Sequence, residues 1–156
     1  MSETIDTKDA RLLELLQENA RQSLEALADQ SGLSPASVQR RVKALRERGV
    51  ITGDTVIVDP ALVGQPMSFV IMVELERERL DQIDAFTRRC RSEPQVQQCY
   101  YVTGEADFCL ICTASNMADF EALTKRLFFD DSNVRRFRTS VVMSRKKVTL
   151  AVPCKA

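Results

Sequence analysis

The chain has 156 residues, 44% hydrophobic and 28% charged, with 22 basic and 22 acidic residues that cancel to a formal charge of zero. That balance excludes a disordered chain and suits one medium or two small globular domains, and it hides rather than advertises a polyanionic partner. Histidine is absent and the five glycines stand singly, so histidine-based triads, most transition-metal sites, Walker loops and dinucleotide fingerprints are excluded and no enzyme or cofactor is expected.

In chain order, Lys8 to Asn19 carries Leu12, Leu13, Leu15 and Leu16 at helical spacing, with Asp6 or Thr7 placed to cap. Ser23 then caps a second short helix through Leu24, Leu27 and Ala28, and Gly32 supplies a tight turn. A third helix starts at Ser34, an N-cap hydroxyl, with Pro35 at the first helical position where its missing N–H costs nothing. Gly49 ends it.

At about 100° per residue, Val38, Val42 and Leu45 form the inner stripe of this third helix, and Ala36, Arg40, Lys43 and Glu47 the outer one. Gln39 and Arg46 flank the outer face on one side, Ser37 and Arg48 on the other. Arg41 lies nearer the inner stripe and is expected to snorkel toward phosphate. Ser34 to Arg48 holds five bases and one acid, whereas the first 33 residues hold three bases and seven acids. Segregated charge on a capped helix of groove size points to double-stranded DNA, with Ser37, Gln39 and Arg40 suited to base edges and Lys43 and Arg46 to phosphates. An ordinary solvated basic face is the plainer alternative.

Beyond Gly49, Val50 to Pro60 includes the β-branched run TVIVDP, read as a small wing or a departing strand. The expected division is a helix-turn-helix domain over residues 1–53, a linker strand over 54–65 and a second domain over 66–156. The second domain alternates strand and helix: MSFVIMVELE, then ERLDQIDAFTRRC with Leu80, Ile83, Phe86 or Thr87 and Cys90 inward, then VQQCYYVTG. After a turn at Gly104 come DFCLICTAS, a helix NMADFEALTKRLFF with Met117, Phe120, Leu123 and Leu127 inward, and VRRFRTSVVMS. The order is βαββαβ, so the fold class is α+β with a ferredoxin-like second domain. Its strands are apolar on both faces, and self-association of sheets would cover the face left by the helices.

The five cysteines lack the spacing of a disulfide framework, and on a strand Cys109 and Cys112 point to opposite faces, so they are read as packing residues rather than a metal pair. Cys99 and Cys109 are read as cross-strand neighbours with a weak redox alternative. No apolar run approaches a membrane span and the start MSETIDTKD has no signal-peptide character, which predicts a cytoplasmic protein. Arg135, Arg136, Arg138, Arg145, Lys146 and Lys147 form a second basic cluster, read as edge protection or as extra phosphate contacts.

Taken together, IDTKDARLLELLQENAR, LSPASVQRRVKALRERGVITG, VIVDPALVG, VTGEADFCL and RTSVVMS resemble, in this order and nearly end to end, the Lrp/AsnC or feast/famine family of transcriptional regulators. The resemblance implies a homodimer built through RAM/ACT-like domains, often a tetramer or octamer, responding to an amino acid or related metabolite. It also implies that Thr103, Gly104, Glu105, Ala106, Asp107 and Phe108 line an effector cleft; an aromatic usual in the family is replaced by Ala106, and another by Ser140. A loop of this kind offers backbone N–H groups to a carboxylate and Glu105 or Asp107 to an ammonium, while a plain β-turn with Asp107 bonding backbone is the alternative. Two other function classes share the outline: an architectural DNA-binding protein with little effector dependence, and a decarboxylase of sirohaem-type tetrapyrroles, whose relatives lean on histidine that this chain lacks.

Overall fold

The computed structural model describes residues 4–156 and divides into two compact units, residues 4–56 with 147–156, and 57–146. Met1–Glu3 of the polar start lie outside the described residues.

In the first unit, α1 (Thr7–Glu18), α2 (Leu24–Ser31) and α3 (Pro35–Glu47) follow the local signals closely. Asp6 caps α1 by accepting from the Asp9 N–H, and Ser23 and Ser34 cap α2 and α3 by accepting from the N–H groups of Ala26 and Ser37. Gly32 ends α2 at φ 66°, a left-handed conformation that also lets the Lys8 ammonium reach the Ser31 carbonyl at 2.6 Å. Leu12, Leu15, Leu27, Ala28 and Val38 close the core, with Val42 packed beside them. The 54–58 segment exposes Val56, Ile57 and Val58, and the expected linker strand over 54–65 is not formed. Its β-branched residues have the propensity but no ladder partner. The tail, expected with the second domain, instead returns to α1, where the Gln17 amide donates to the Val152 carbonyl at 3.0 Å and accepts from the Val152 N–H at 2.8 Å.

The second unit is the anticipated βαββαβ arrangement: β1 (Met67–Leu75), α4 (Leu80–Ser92), β2 (Val96–Tyr101), β3 (Phe108–Ala114), α5 (Met117–Thr124) and β4 (Val134–Val141). The sheet is antiparallel throughout, in order β2-β3-β1-β4. Alternation sends Phe69, Ile71, Val73 and Leu75 of β1 and Phe108, Leu110 and Cys112 of β3 into a core with Phe86, Cys90, Phe120 and Leu123 from the helices. The Phe69 and Phe120 rings stack 3.9 Å apart at the centre of this layer.

Two expected inward residues are not buried: Leu80 is 81% exposed and Met117 48%. Each is the first residue of its helix, before the axis comes to lie against the sheet, so helical phase alone does not bury it. The last turn of the second helix also widens into a π turn over Lys125–Phe129, which turns Leu127 and Phe128 inward and leaves Phe129 outside.

On the open face of the sheet, Val70 and Met72 of β1 lie beside Ile111 and Cys109 of β3, with Tyr100 opposite Cys109. Cys109 and Cys112 point to opposite faces as expected. Cys99 does not neighbour Cys109: a register shift between Val96 and Gln98 sets Cys99 opposite Leu110, on the helix-covered face.

Candidate nucleic-acid interface and sensing loop

The start and the middle of α3 are built differently. Ser34 and Pro35 start it without help from another element, whereas its middle is held from the side by α1. The Arg41 guanidinium donates to Asp6 at 2.7 Å and to Asp9 at 2.8 Å, and it is only 27% exposed. Hydrogen bonds first to Asp6 and then to Asp9 hold Arg41 more firmly protonated, while the Asp9 N–H and then Arg41 draw the Asp6 carboxyl below its ordinary range. Arg41 therefore bonds inward rather than snorkelling outward, because the carboxylates of Asp6, the α1 cap, and of Asp9 hold it at closer range than solvent.

The remaining candidates fall on the exposed side. Ser34, Gln39, Arg40, Lys43 and Arg46 are exposed and Ser37 is half-buried, its hydroxyl accepting from that of Ser34 at 3.1 Å. Gln39 and Arg40 make no hydrogen bond or ion pair among the described residues. Lys43 reaches Glu47 only at 3.8 Å with both ends in water, a pair of little strength. Arg46 is tied to Asp54 at 2.8 Å, which anchors the chain leaving the helix. Thus Gln39 and Arg40 present side-chain donors that no described residue satisfies, and Lys43 one engaged only by an exposed pair.

The Asp6, Asp9 and Asp54 partners were not anticipated from sequence. The Asp6–Asp9 spacing is itself a capping signal, but its convergence with Arg41 depends on how α1 packs across α3.

In the second unit the turn between β2 and β3 separates the six loop candidates into two groups. Thr103, Gly104 and Glu105 are exposed, Gly104 at φ 116°, a backbone region that favours glycine. Ala106 and Phe108 are buried, Phe108 against Phe86 and Tyr101. Asp107 faces back into the sheet: its carboxylate accepts from the Leu75 N–H at 2.6 Å, its own N–H donates to the Val73 carbonyl, and its carbonyl accepts from the Val102 N–H. Glu105 extends to within 3.6 Å of Arg138, which also binds Glu74 at 3.0 Å, and Arg136 binds the same Glu74 at 2.8 Å. The Arg136 hydrogen bond, followed by the charges of Arg136 and Arg138, outweighs desolvation and lowers the Glu74 carboxyl.

Two depressions of this unit lie elsewhere, one lined by Gln82, Ala85, Arg88, Arg89, Ser92 and Asp131, the other by Phe128, Phe129 and Phe137 with Arg135 and Arg136. Arg89 pairs with Asp131 beside the first. No group of His, Cys, Asp or Glu among the described residues is arranged to hold a metal, and no described helix is long and apolar enough to cross a membrane.

Comparison with known proteins matches residues 5–52 to the winged helix-turn-helix DNA-binding model and residues 68–152 to the Lrp/AsnC ligand binding domain. An uncharacterised HTH-type transcriptional regulator of Sinorhizobium fredii is 48% identical over 96% of this chain and 88% of its own length. The leucine-responsive regulatory protein of Haemophilus influenzae is 30% identical over 95% and 89%. Among solved structures, a Neisseria meningitidis transcriptional regulator in complex with L-Met superposes with a TM-score of 0.88 at 28% identity, over 96% of this chain and 97% of that one. Helix-turn-helix and ligand-binding units thus occur here in the order and extent of these relatives, and the chain belongs to the Lrp/AsnC family of transcriptional regulators.

Proposed function

We propose that the protein is a non-enzymatic, sequence-specific regulator that inserts α3 into the major groove of double-stranded DNA and responds to an amino acid through changes in assembly. The observation that carries the DNA half is the contrast along α3: Arg41 and Arg46 are held by carboxylates, while the side chains of Gln39 and Arg40 are exposed and have no partner among the described residues. Ser37, Gln39 and Arg40 read base edges, Ser34 and Lys43 position the helix on phosphates, and Arg41 and Arg46 hold its orientation. A homodimer formed through the open sheet face around Val70, Met72 and Ile111 would pair two such helices on half-sites about one helical turn apart, or multiples of it. Further assembly to a tetramer or octamer would complete an effector cleft that a single sensing loop lacks.

The exposed Thr103, Gly104 and Glu105 are the side of the loop available to a ligand, Glu105 for its ammonium and backbone N–H groups for its carboxylate. Ala106, Asp107 and Phe108 support them from behind. The relative crystallised with L-Met and the relative named leucine-responsive make methionine and leucine the first effectors to test. The test is selection of genomic fragments by the purified protein, followed by competition against random DNA with and without each amino acid. Preference for a pseudo-palindrome that shifts with an amino acid, together with a change in light scattering, supports the reading. Broad, salt-sensitive binding indifferent to every amino acid would replace it with the architectural one.

A further inference from the structure

Neither DNA contact nor effector binding uses the cysteines, yet three of the five converge beneath α4. Cys90 enters the core from the last turns of α4 and is 1% exposed. Cys99 faces the same layer from β2, half-buried, and Cys112 lies on that face of β3, fully buried. All are free thiols. Cys99 is only partly buried, and β2, which carries it, is the edge strand of the sheet.

The environments of Cys90 and Cys99 differ in a directed way. A hydrogen bond between the two thiols lowers Cys99 and raises Cys90; burial adds to the rise at Cys90, and the positive charge of Arg91 adds to the fall at Cys99. Cys112 is pushed up to about 12, mainly by burial. A partly accessible thiol packed against the same core layer as a sealed one, Cys99 beside the buried Cys90, is the arrangement that favours site-selective oxidation. Cys109 faces the other side of the sheet, and Cys154 lies in the tail.

We propose that Cys99 and Cys90 are an oxidation site for hydroperoxides, with Cys99 as the attacking thiolate and Cys90 as the resolving thiol, closing into an intrachain disulfide between α4 and β2. Cys99 Sγ attacks one oxygen of the hydroperoxide, the O–O bond breaks, and the other oxygen leaves as an alcohol, or as water from hydrogen peroxide, after taking a proton. The product is a sulfenic acid at Cys99. Cys90 Sγ then attacks that sulfur, the S–O bond breaks, and the hydroxide leaves with the Cys90 proton as water. Two thiols lose two electrons and the peroxide gains them. The bond ties the end of α4 to the edge strand across the short Glu93–Gln95 connection.

The experiment treats the reduced full-length protein with hydrogen peroxide and follows each cysteine by mass spectrometry, with and without dimedone. Cleavage after Arg89, Arg91 and Tyr101 separates Cys90 from Cys99, and Cys99 from Cys109 and Cys112. Cys99 should be oxidised about tenfold faster than Cys109 or Cys154, and the wild type should lose two hydrogens in a Cys90–Cys99 cross-linked peptide that dithiothreitol opens. Cys90→Ser should instead hold a dimedone-reactive sulfenic acid at Cys99, and Cys99→Ser should do neither. Should a variant lose its circular dichroism spectrum, wild-type mapping alone decides. Cys99 reacting no faster than Cys154, or cross-links joining other cysteines, would overturn the proposal.

Discussion

Replacing Arg41 with alanine separates a strut from a DNA contact. Its bond to Asp9 at 2.8 Å involves a carboxylate only 10% exposed, whereas that to Asp6 at 2.7 Å ends on a side chain 53% exposed. A charge-assisted bond at the first site contributes about 1.5 kcal/mol, and solvent reduces the second to about 0.5. The loss is therefore about 2 kcal/mol, and a unit of this size, with a urea slope near 1 kcal/mol/M, should unfold at a midpoint lower by about 2 M. The chain has no tryptophan, and its two tyrosines, Tyr100 and Tyr101, both lie on β2. Tyrosine fluorescence therefore reports the sheet unit alone, while far-UV circular dichroism reports both. Arg41→Ala should shift the dichroism transition and leave the fluorescence transition in place, and affinity for DNA per folded molecule should stay within about twofold. An unchanged midpoint with about tenfold weaker binding to all DNA would refute the strut and restore Arg41 to the phosphate contacts.

Three further outcomes follow from the same geometry. Arg40→Ala should weaken a selected operator by about 1–3 kcal/mol and relax preference at one half-site position, whereas Lys43→Ala should weaken operator and random DNA alike and reduce the salt slope by about one, both measured by fluorescence anisotropy. Asp107→Ala should lower the midpoint reported by tyrosine fluorescence by the equivalent of about 1–3 kcal/mol, because it frees the Leu75 N–H; Glu105→Gln should leave that midpoint alone and blunt any amino-acid response. Finally, the Asp6 carboxyl lies below its ordinary 3.8 in the folded protein, so its stabilising contribution is present above that pH and is lost as pH falls through the lower folded value. Acid titration followed by dichroism should show a shallower loss in Asp6→Asn than in wild type across that window.

What was legible in the sequence is what short-range chemistry decides. The caps at Asp6, Ser23 and Ser34 join a side chain to a backbone N–H three residues on, and Gly32 meets a demand of its own backbone, so each can be read without knowing the fold. Strand alternation likewise sorted Cys109 from Cys112. What was not legible depends on another element. The partners of Arg41 are 35 and 32 residues away, and Asp107 closes onto Leu75 across 32. The TVIVDP run has strand propensity without a strand to pair with, and Leu80 and Met117 have the right phase but stand too early on their helices. Cys99 stands opposite Leu110 rather than beside Cys109 because of a register shift that one strand's composition does not encode.

The acidic first helix then acquires a role that net charge conceals. The local excess on α3 counts Arg41 and Arg46 equally with Arg40 and Lys43, yet Asp6, Asp9 and Asp54 neutralise the first two at hydrogen-bond distance. Carboxylates so placed do more than cancel charge: they immobilise the bases they bind and leave those on the opposite face to the solvent. A helix whose inner base is clamped and whose outer donors are unsatisfied has one orientation in which its positive surface can meet a polyanion. On the proposed reading that orientation is also the one in which Ser37, Gln39 and Arg40 lead, so the ion pairs that stabilise the three-helix unit would also determine which side chains are offered to base edges.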